Sequence, residues 1–382
     1  LDSDEHVTDK GKPPLPIPDE PYLVHVRGEA TQEDWDSAEV PAIDEEVALN
    51  GLESFVVRPK VTTPVIDLGT LEGSYVGTDF GLWHTHPDSE GFFRWQSYGK
   101  EGPPATHITG LAADSQGILW IATSAGLASL DPSGIHRDST ESWKIFRGPE
   151  GLPWEDLTCI AIDSKDRLWL GSTQGLIQFR PYEEGRQWFY RAGRRYLPDD
   201  HVLAVAVIAG GSSVLVKTEG GIGRIDEVAE TLHSKAEYLE NRFNDRHRRL
   251  GLPSPALYTD QTLTEWTHTT QPSDGLWASY HVTAMSLAYA LTGEDRYRES
   301  AKRSMEGLYL LQNVTGIPGL VARTVAEVGT PEAEEVKDQD NWHASPDPKY
   351  IWRDDVSSDQ IDGHYFAFHS YFEHIAKHDP VE

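Results

Sequence analysis

Four segments of this chain repeat at nearly constant spacing, and no other feature constrains the fold as strongly. Residues 108–127 (ITGLAADSQGILWIATSAGL) align without gaps on residues 157–176 (LTCIAIDSKDRLWLGSTQGL), at an offset of 49. Thr, Ala, Asp-Ser, Leu-Trp and Gly-Leu fall in register. A shorter copy precedes them at 75–82 and another follows at 215–222. The anchoring glycines Gly81, Gly126, Gly175 and Gly221 are 45, 49 and 46 residues apart. A unit of that length cannot bury its apolar face alone and has to stack on its neighbours.

Within each copy, apolar alternation, an Asp-Ser turn, a short apolar run and a Gly turn read as strand, turn, strand, turn, strand. A fourth, outer strand follows, for example at 143–146 or 188–190. Four antiparallel strands per ~45 residues is the arithmetic of a propeller blade. The pattern Leu-Ala-x-Asp-x-x-Gly-x-Leu-Trp-Ile-Ala-Thr-x-x-Gly-Leu, as it stands at 111–127, resembles the two-component-regulator propeller repeat of extracellular ligand-binding sensor proteins. That resemblance covers about 160 residues, strongly in two copies and weakly in two. Four blades is the low end for propellers, so either a small or open propeller is expected, or further blades from outside this chain or from a second copy.

After Asp226 the period of the apolar pattern changes from two to about 3.6. A helix is expected over 230–250, with Leu232, Ala236, Leu239, Phe243 and His247 on one stripe, ending at Gly251. Others are expected over 274–291, 295–311 and 358–377, the last with Ser357 and Gln360 spaced as a capping box. An acidic loop over 327–340 separates the last two. The expected fold is therefore multidomain β + α: an acidic, Pro-rich arm (1–60), β-propeller repeats (61–228) and an α/α-hairpin, toroid-like domain (229–382). Five or so helices are too few for a six-hairpin toroid, so the helical domain is expected to be incomplete. Within the arm, 22–26 and 55–57 are candidates for edge strands.

Charge narrows the function. The chain carries 33 Lys+Arg against 62 Asp+Glu, a net charge of −29, which opposes a sequence-independent grip on nucleic acid or docking on anionic lipid. The longest apolar run, 202–216, is broken by Gly210 and Gly211, so no membrane span is expected. One cysteine, Cys159, excludes an intrachain disulfide framework and any multi-thiolate metal site, and reads as a buried thiol. The chain opens without an initiator Met and reads as a processed product or fragment. Asn313 starts a glycosylation sequon with Thr315. These point to secretion, or to the periplasm in a bacterium.

Two helix starts share a grammar. Asp274-Gly275-Leu276-Trp277, followed by Tyr280 and His281, is matched by Asp359 and Asp362-Gly363-His364-Tyr365. Each puts a carboxylate and a Gly near a first turn with aromatic and His side chains behind. Asp there serves ordinarily as a cap. Asp354, Asp355, Asp359 and Asp362 exceed what one cap needs, and their repulsion is expected to raise at least one carboxylate pKa. Between the helices, Gly316-Ile317-Pro318-Gly319 forms a turn that delivers Arg323. Trp342, His343 and Trp352 are candidates for an aromatic wall against which sugar rings stack.

The stretch 273–372 resembles the helical domain attached to such propellers in bacterial proteins grouped with polysaccharide-degrading enzymes. The resemblance rests on Asp274-Gly-Leu-Trp277, Leu291-Thr-Gly293, Gly316-Ile-Pro-Gly319 with Arg323, and Asp355 to Asp359 with Gly363-His364. It implies a polysaccharide lyase acting on a uronate-containing glycan. Arg323 would stabilise the enolate-like charge, His281, His343 or His364 would act as base, and Tyr280 or Tyr365 would protonate the leaving oxygen. A glycoside hydrolase would instead use Asp274 opposite Asp359 or Asp362. A non-catalytic glycan-binding or assembly module is the reading from another class. No cofactor is expected, beyond a structural or charge-neutralising divalent cation. His84 with His86, and His374 with His378, are only two-ligand fragments. The net charge itself opposes a polyanionic substrate, although Arg186, Arg191, Arg194 and Arg195, and Arg242, Arg246, Arg248 and Arg249, supply local basic runs.

Overall fold

The structure, a computed structural model, describes residues 22–28, 30–38, 60–68, 73–87, 93–97, 102–132, 143–208, 211–260 and 263–379. Two compact units result, Glu20–Glu230 and Thr231–Glu382.

The first unit opens with strand β1 (Tyr22–Gly28) and a short helix, α1 (Gln32–Asp36). Three sheets follow in chain order. They are β2 (Ile66–Asp67) to β5 (Phe93–Ser97) through β3 (Ser74–Thr78) and β4 (Gly81–Pro87); β6 (Ile108–Ala113), β7 (Leu119–Thr123), β8 (Gly126–Leu130) and β9 (Trp143–Phe146); and β10 (Leu157–Ile162), β11 (Leu168–Ser172), β12 (Gly175–Phe179) and β13 (Trp188–Arg191). Each is an antiparallel meander in sequence order, as expected of a blade. The fourth combines β14 (Val202–Ile208), β15 (Ser213–Thr218) and β16 (Gly221–Glu230) with β1, which pairs Tyr22 to Glu230 through Gly28 to Arg224. The candidate strand at 22–26 is thus the outer strand of the last blade. The candidate at 55–57 lies outside the described residues.

The repeated letters have one physical explanation per position. At the second turn of each blade a hydroxyl donates to the carbonyl of the Gly three residues on: Thr78 to Gly81 (2.8 Å), Thr123 to Gly126 (2.9 Å), Ser172 to Gly175 (2.7 Å) and Thr218 to Gly221 (2.8 Å). Those four glycines have φ between +110° and +132°, a region closed to most side chains. The repeated Asp and Trp form a clamp. Asp114 accepts from the amides of Gln116 and Ile118 and from Trp120 Nε1 at 2.8 Å; Asp163 does the same with Lys165, Arg167 and Trp169 Nε1 at 3.1 Å. The carboxylate thereby fixes both the turn and the rotamer of the indole on the next strand. The indoles lie between blades: Trp120 packs with Leu157, Leu168 and Phe179, and Trp169 with Val202, Val214 and Ile225.

Cys159 lies on an inner strand against Gly171, where an added Cβ would stand 2.4 Å from its Sγ. Burial pushes its thiol up to about 11. We therefore expect alkylation at pH 8 to run about a hundredfold slower in the folded chain than in urea, as followed by mass spectrometry.

The second unit departs from the sequence reading in three places. The helix expected over 230–250 is α2 (Leu232–Arg242), none of whose residues is buried, with Leu239 54% exposed. It gives way to a π-turn at Phe243–His247 and the two-residue strand β17 (Arg248–Arg249), which pairs with β18 (Leu252–Pro253). The reason is a close approach: Gly251, at φ +80°, lies where a Cβ would meet the Arg303 carbonyl at 2.3 Å. A short hairpin follows, β19 (Ala256–Tyr258) with β20 (Trp266–His268). The hairpin of α3 (Asp274–Thr292) and α4 (Asp295–Asn313) is as expected. The stretch 327–340, read as an acidic loop, instead carries α5 (Pro331–Val336), whose Ala333 and Val336 pack beneath Trp342, and it is preceded by β21 (Thr324–Glu327). With β22 (Trp342–Ala344) and β23 (Tyr350–Arg353) it forms a sheet of order β21-β23-β22. The unit is therefore α + β rather than hairpins alone. Finally, α6 (Ser358–His374) stops three residues early. Its capping box is not made, because Gln360 Nε2 turns inward to the carbonyls of Arg323 (2.6 Å) and Ala322 (3.3 Å).

Candidate functional site

The two glycines of the shared helix-start grammar meet at the crossing of α3 and α6. A Cβ on Gly363 would stand 2.8 Å from Leu276 Cα, and one on Gly275 would stand 2.7 Å from His364 Nε2. The motif thus encodes a close helix contact. Asp274 is fully buried at this crossing. It accepts from Thr324 Oγ1 at 2.6 Å and faces Arg249 NH2 at 3.4 Å, and burial raises its carboxyl to about 6. His364 is 3% exposed, and burial alone lowers it to about 4.

The other candidates are dispersed. Asp359 and Asp362 are exposed on the first turns of α6, and Tyr365 is 70% exposed. The carboxylate cluster does not raise Asp359. A hydrogen bond from Ser357 and the charge of Arg323 hold it below its usual range. Arg323 donates to the Asp355 carbonyl. His343 Nε2 pairs with Asp354 at 2.7 Å. The expected aromatic wall is not one: Trp342 and Trp352 are buried, each in a different apolar cluster. Their alternation on β22 and β23, invisible without the strands, turns them inward. Asn313 is exposed at the end of α4, its Nδ2 donating to the Tyr309 carbonyl.

Three candidates do come together. Trp277 and Tyr280, one turn apart on α3, stand half exposed with ring centroids 6.1 Å apart. With His281, Phe243, His247 and Pro253 they line an open groove of about 530 Å³. Neither this groove nor a smaller one lined by Arg248, Arg303, Glu306 and Tyr350 includes Arg323, Asp359 or His364.

Behind the groove lies a polar network that the sequence reading missed. His281 Nε2 meets Glu240 Oε2 at 2.9 Å, and its Nδ1 meets Ser304 Oγ at 3.0 Å. Glu240 also accepts from Asn244 (2.6 Å) and from Ser300. Arg248 donates to Ser304 Oγ (3.1 Å) and Ser300 Oγ (2.7 Å). Glu240, as a carboxylate, can only accept, so Nε2–H donates to it; Nδ1 of the neutral ring then accepts from the Ser304 hydroxyl, which itself accepts from Arg248. Burial pushes Glu240 up, but the hydrogen bonds from His281 and Ser300 outweigh it and hold the carboxyl below its usual range. Burial lowers His281 by more than Glu240 raises it, so the ring is neutral at pH 7. Phe243 stacks on it at 4.1 Å. The signal available in the sequence was Ser300 and Ser304, two small polar residues four apart on the face of α4 that also buries Ala301, Met305 and Leu308.

Among the described residues, no group of three or more His, Cys, Asp or Glu side chains is placed to hold a metal. His374 ends α6 and His378 falls in a separate 3-10 turn, which removes their helical i,i+4 relation. His84 stacks on Tyr75 in the first blade. No described helix is long and apolar enough to cross a membrane.

Residues 102–125 match the family described as two component regulator propeller. Those residues lie in the second blade, over β6 and β7. Among solved structures, an extracellular domain ascribed to a hybrid two-component system, BT3049 of B. thetaiotaomicron, is 16% identical, with a TM-score of 0.36 over 52% of this chain and 25% of that one. PorZ, a surface component of the type-IX secretion system of Porphyromonas gingivalis, is 14% identical, with a TM-score of 0.34 over 56% and 31%. Virginiamycin B lyase from Staphylococcus aureus is 15% identical, with a TM-score of 0.32 over 46% and 57%. The chain spans about a quarter of the length of the first of these. No curated protein matches the sequence.

Proposed function

We propose that this chain is a non-catalytic extracellular or periplasmic binding module that takes an oligosaccharide on the Trp277–Tyr280 groove. The observation that carries this reading is the exposure of two large rings, side by side, above a rigid hydrogen-bonded floor. Exposed aromatic pairs stack on the C–H faces of sugars, and a fixed floor reduces the ordering cost of binding. The repeat type of the blades favours an extracytoplasmic setting.

Binding is favoured over the lyase and hydrolase alternatives by the same side chains. A lyase base needs a free nitrogen, and both ring nitrogens of His281 are committed to protein partners. A hydrolase needs two carboxylates facing one sugar, whereas Asp274 is buried and Asp359 is exposed. A second copy that extends the stack of blades belongs to the same proposal, and sedimentation at micromolar concentration tests it.

The groove itself is tested by fluorescence titration with neutral and uronate-containing oligosaccharides. Trp277→Ala is expected to weaken affinity about tenfold, the value of one lost stacking platform. Unsaturated product in the ultraviolet, or new reducing ends, would replace this reading with an enzyme. A full set of titrations without a response would overturn it outright.

A further inference from the structure

The fourth blade departs from the other three at the positions that face a following blade. Six places before the turn glycine, Tyr75, Trp120 and Trp169 each pack toward the next blade. Two places on, Gly77, Ala122 and Gly171 make room for it. A Cβ on Gly77 would stand 2.5 Å from Ile108, and one on Gly171 would stand 2.6 Å from Val202. Thr62, Thr109 and Thr158 share a third place, on the innermost strand. Thr62 and Thr158 donate to the carbonyls of Ile108 and Val202, where the next blade begins, at 2.6 Å each. The fourth blade carries Leu215, Lys217 and Leu203 at these three places, and Arg224 where the second and third blades have Ser129 and Gln178. Leu203 is 44% exposed, whereas the three threonines are half-buried.

Two cations thus stand where the joined blades carry small or neutral side chains, and an acidic helix of the same chain lies against them. Helix α1 packs on β15. Its Trp35 is the one residue of the helix that is not exposed, and Lys217 Nζ stands 5.8 Å from the ring centroid. Glu33, Asp34 and Asp36 give the helix its charge. Hydrogen bonds from Thr31 hold the Asp34 carboxyl below its usual range, and the charge of Arg224 adds to this. Gly28 lets the chain turn onto this face, since a Cβ there would stand 2.3 Å from Asp226 Oδ2 and 3.1 Å from Arg224 Cδ. Leu215 faces out of the stack and is nonetheless 1% exposed. We infer that α1 is a cap that ends the stack at the fourth blade, seated on a face built for an acidic helix instead of a further blade. A stack of repeats exposes a joining face at its end and needs a polar cover there. A second copy that extends the stack therefore has to do so at the first blade.

The cap is tested by amine acylation of the full chain, read by mass spectrometry with the exposed Lys144 as reference. Trp35→Ala alters a helix with no buried residue and leaves the blade cores intact. It is expected to speed acylation of Lys217 by about fivefold to tenfold. Rising NaCl should speed it in the wild type as well, because charge holds the helix down. An unchanged Lys217 rate in Trp35→Ala overturns the cap, and indifference to salt overturns its electrostatic seat. The end of the stack is tested separately through Leu203→Cys, an exposed change. Its alkylation rate is expected to be the same at about 1 and about 100 μM chain. Protection at the higher concentration would put a copy on the fourth blade and overturn the inference. Neither readout involves the Trp277–Tyr280 groove, so this inference and the binding reading fail separately.

Discussion

Arg167→Ala is expected to destabilise the propeller unit by about 3–5 kcal/mol, measured by urea unfolding at pH 7. Arg167 is 2% exposed and joins the third blade to the fourth. Its Nε meets Asp163 Oδ2 at 2.7 Å, NH1 meets Glu227 Oε1 at 2.7 Å, and NH2 donates to the Gly211 carbonyl at 2.9 Å. Removing it leaves two buried carboxylates with much weaker compensation, since Lys165 and Arg180 lie 3.6 and 3.9 Å from Glu227. The damage spreads because Asp163 also holds Trp169, the indole packed between those blades. Arg167→Lys should recover only part of the loss, since one ammonium cannot bond three separated acceptors in a plane. A loss below about 1 kcal/mol for Arg167→Ala would show that the network is not structural.

The second large effect is a pair of opposed pH dependences at the α3–α6 crossing. Asp274 is raised to about 6 in the folded chain, so between about pH 4 and 6 the folded state holds more protons than the unfolded one. Its contribution is therefore present below about pH 4 and is lost as pH rises through 6. His364 is lowered to about 4, so between about pH 4 and 6.5 the unfolded state holds more protons. Its contribution is present above about pH 6.5 and is lost as pH falls through 4. Each is worth on the order of 3 kcal/mol across its window, and in the wild type the two nearly cancel. Relative to wild type, His364→Leu should lose stability as pH rises from 4 to 6. Asp274→Asn should lose it as pH falls from 6.5 to 4. Thermal unfolding of the three chains across that range reads the difference. Parallel curves would mean that neither group is buried as described.

The repeat was legible because each of its letters answers to a local requirement. Gly126 and Gly175 are there for a positive φ, Thr123 and Ser172 for the turn carbonyl, and Asp114 and Asp163 for an indole six residues on. The helical unit was less legible. Its hairpin of α3 and α4 follows from a 3.6 period and a Gly293 cap, but the sheet of β21, β22 and β23 has strands of three or four residues. Segments that short carry too little alternation to be separated from loop. The break after α2 depends on Gly251 meeting α4, a contact more than fifty residues away in sequence.

The candidate site divides along the same line. Trp277, Tyr280 and His281 were found because they follow one another on one helix. Glu240, Arg248, Ser300 and Ser304 were not, because they converge on His281 from two other helices and a short strand. By itself the sequence determined a stack of four-stranded blades followed by a helical unit, since both periods are local properties of the backbone. Only tertiary structure decided which charged side chains are buried and which meet. Desolvation and hydrogen bonding depend on what surrounds a group in space, which a linear spacing does not record. That is why Asp274, read as a cap or a catalytic carboxylate, lies in the core, and why an acidic chain presents a groove lined by two arginines.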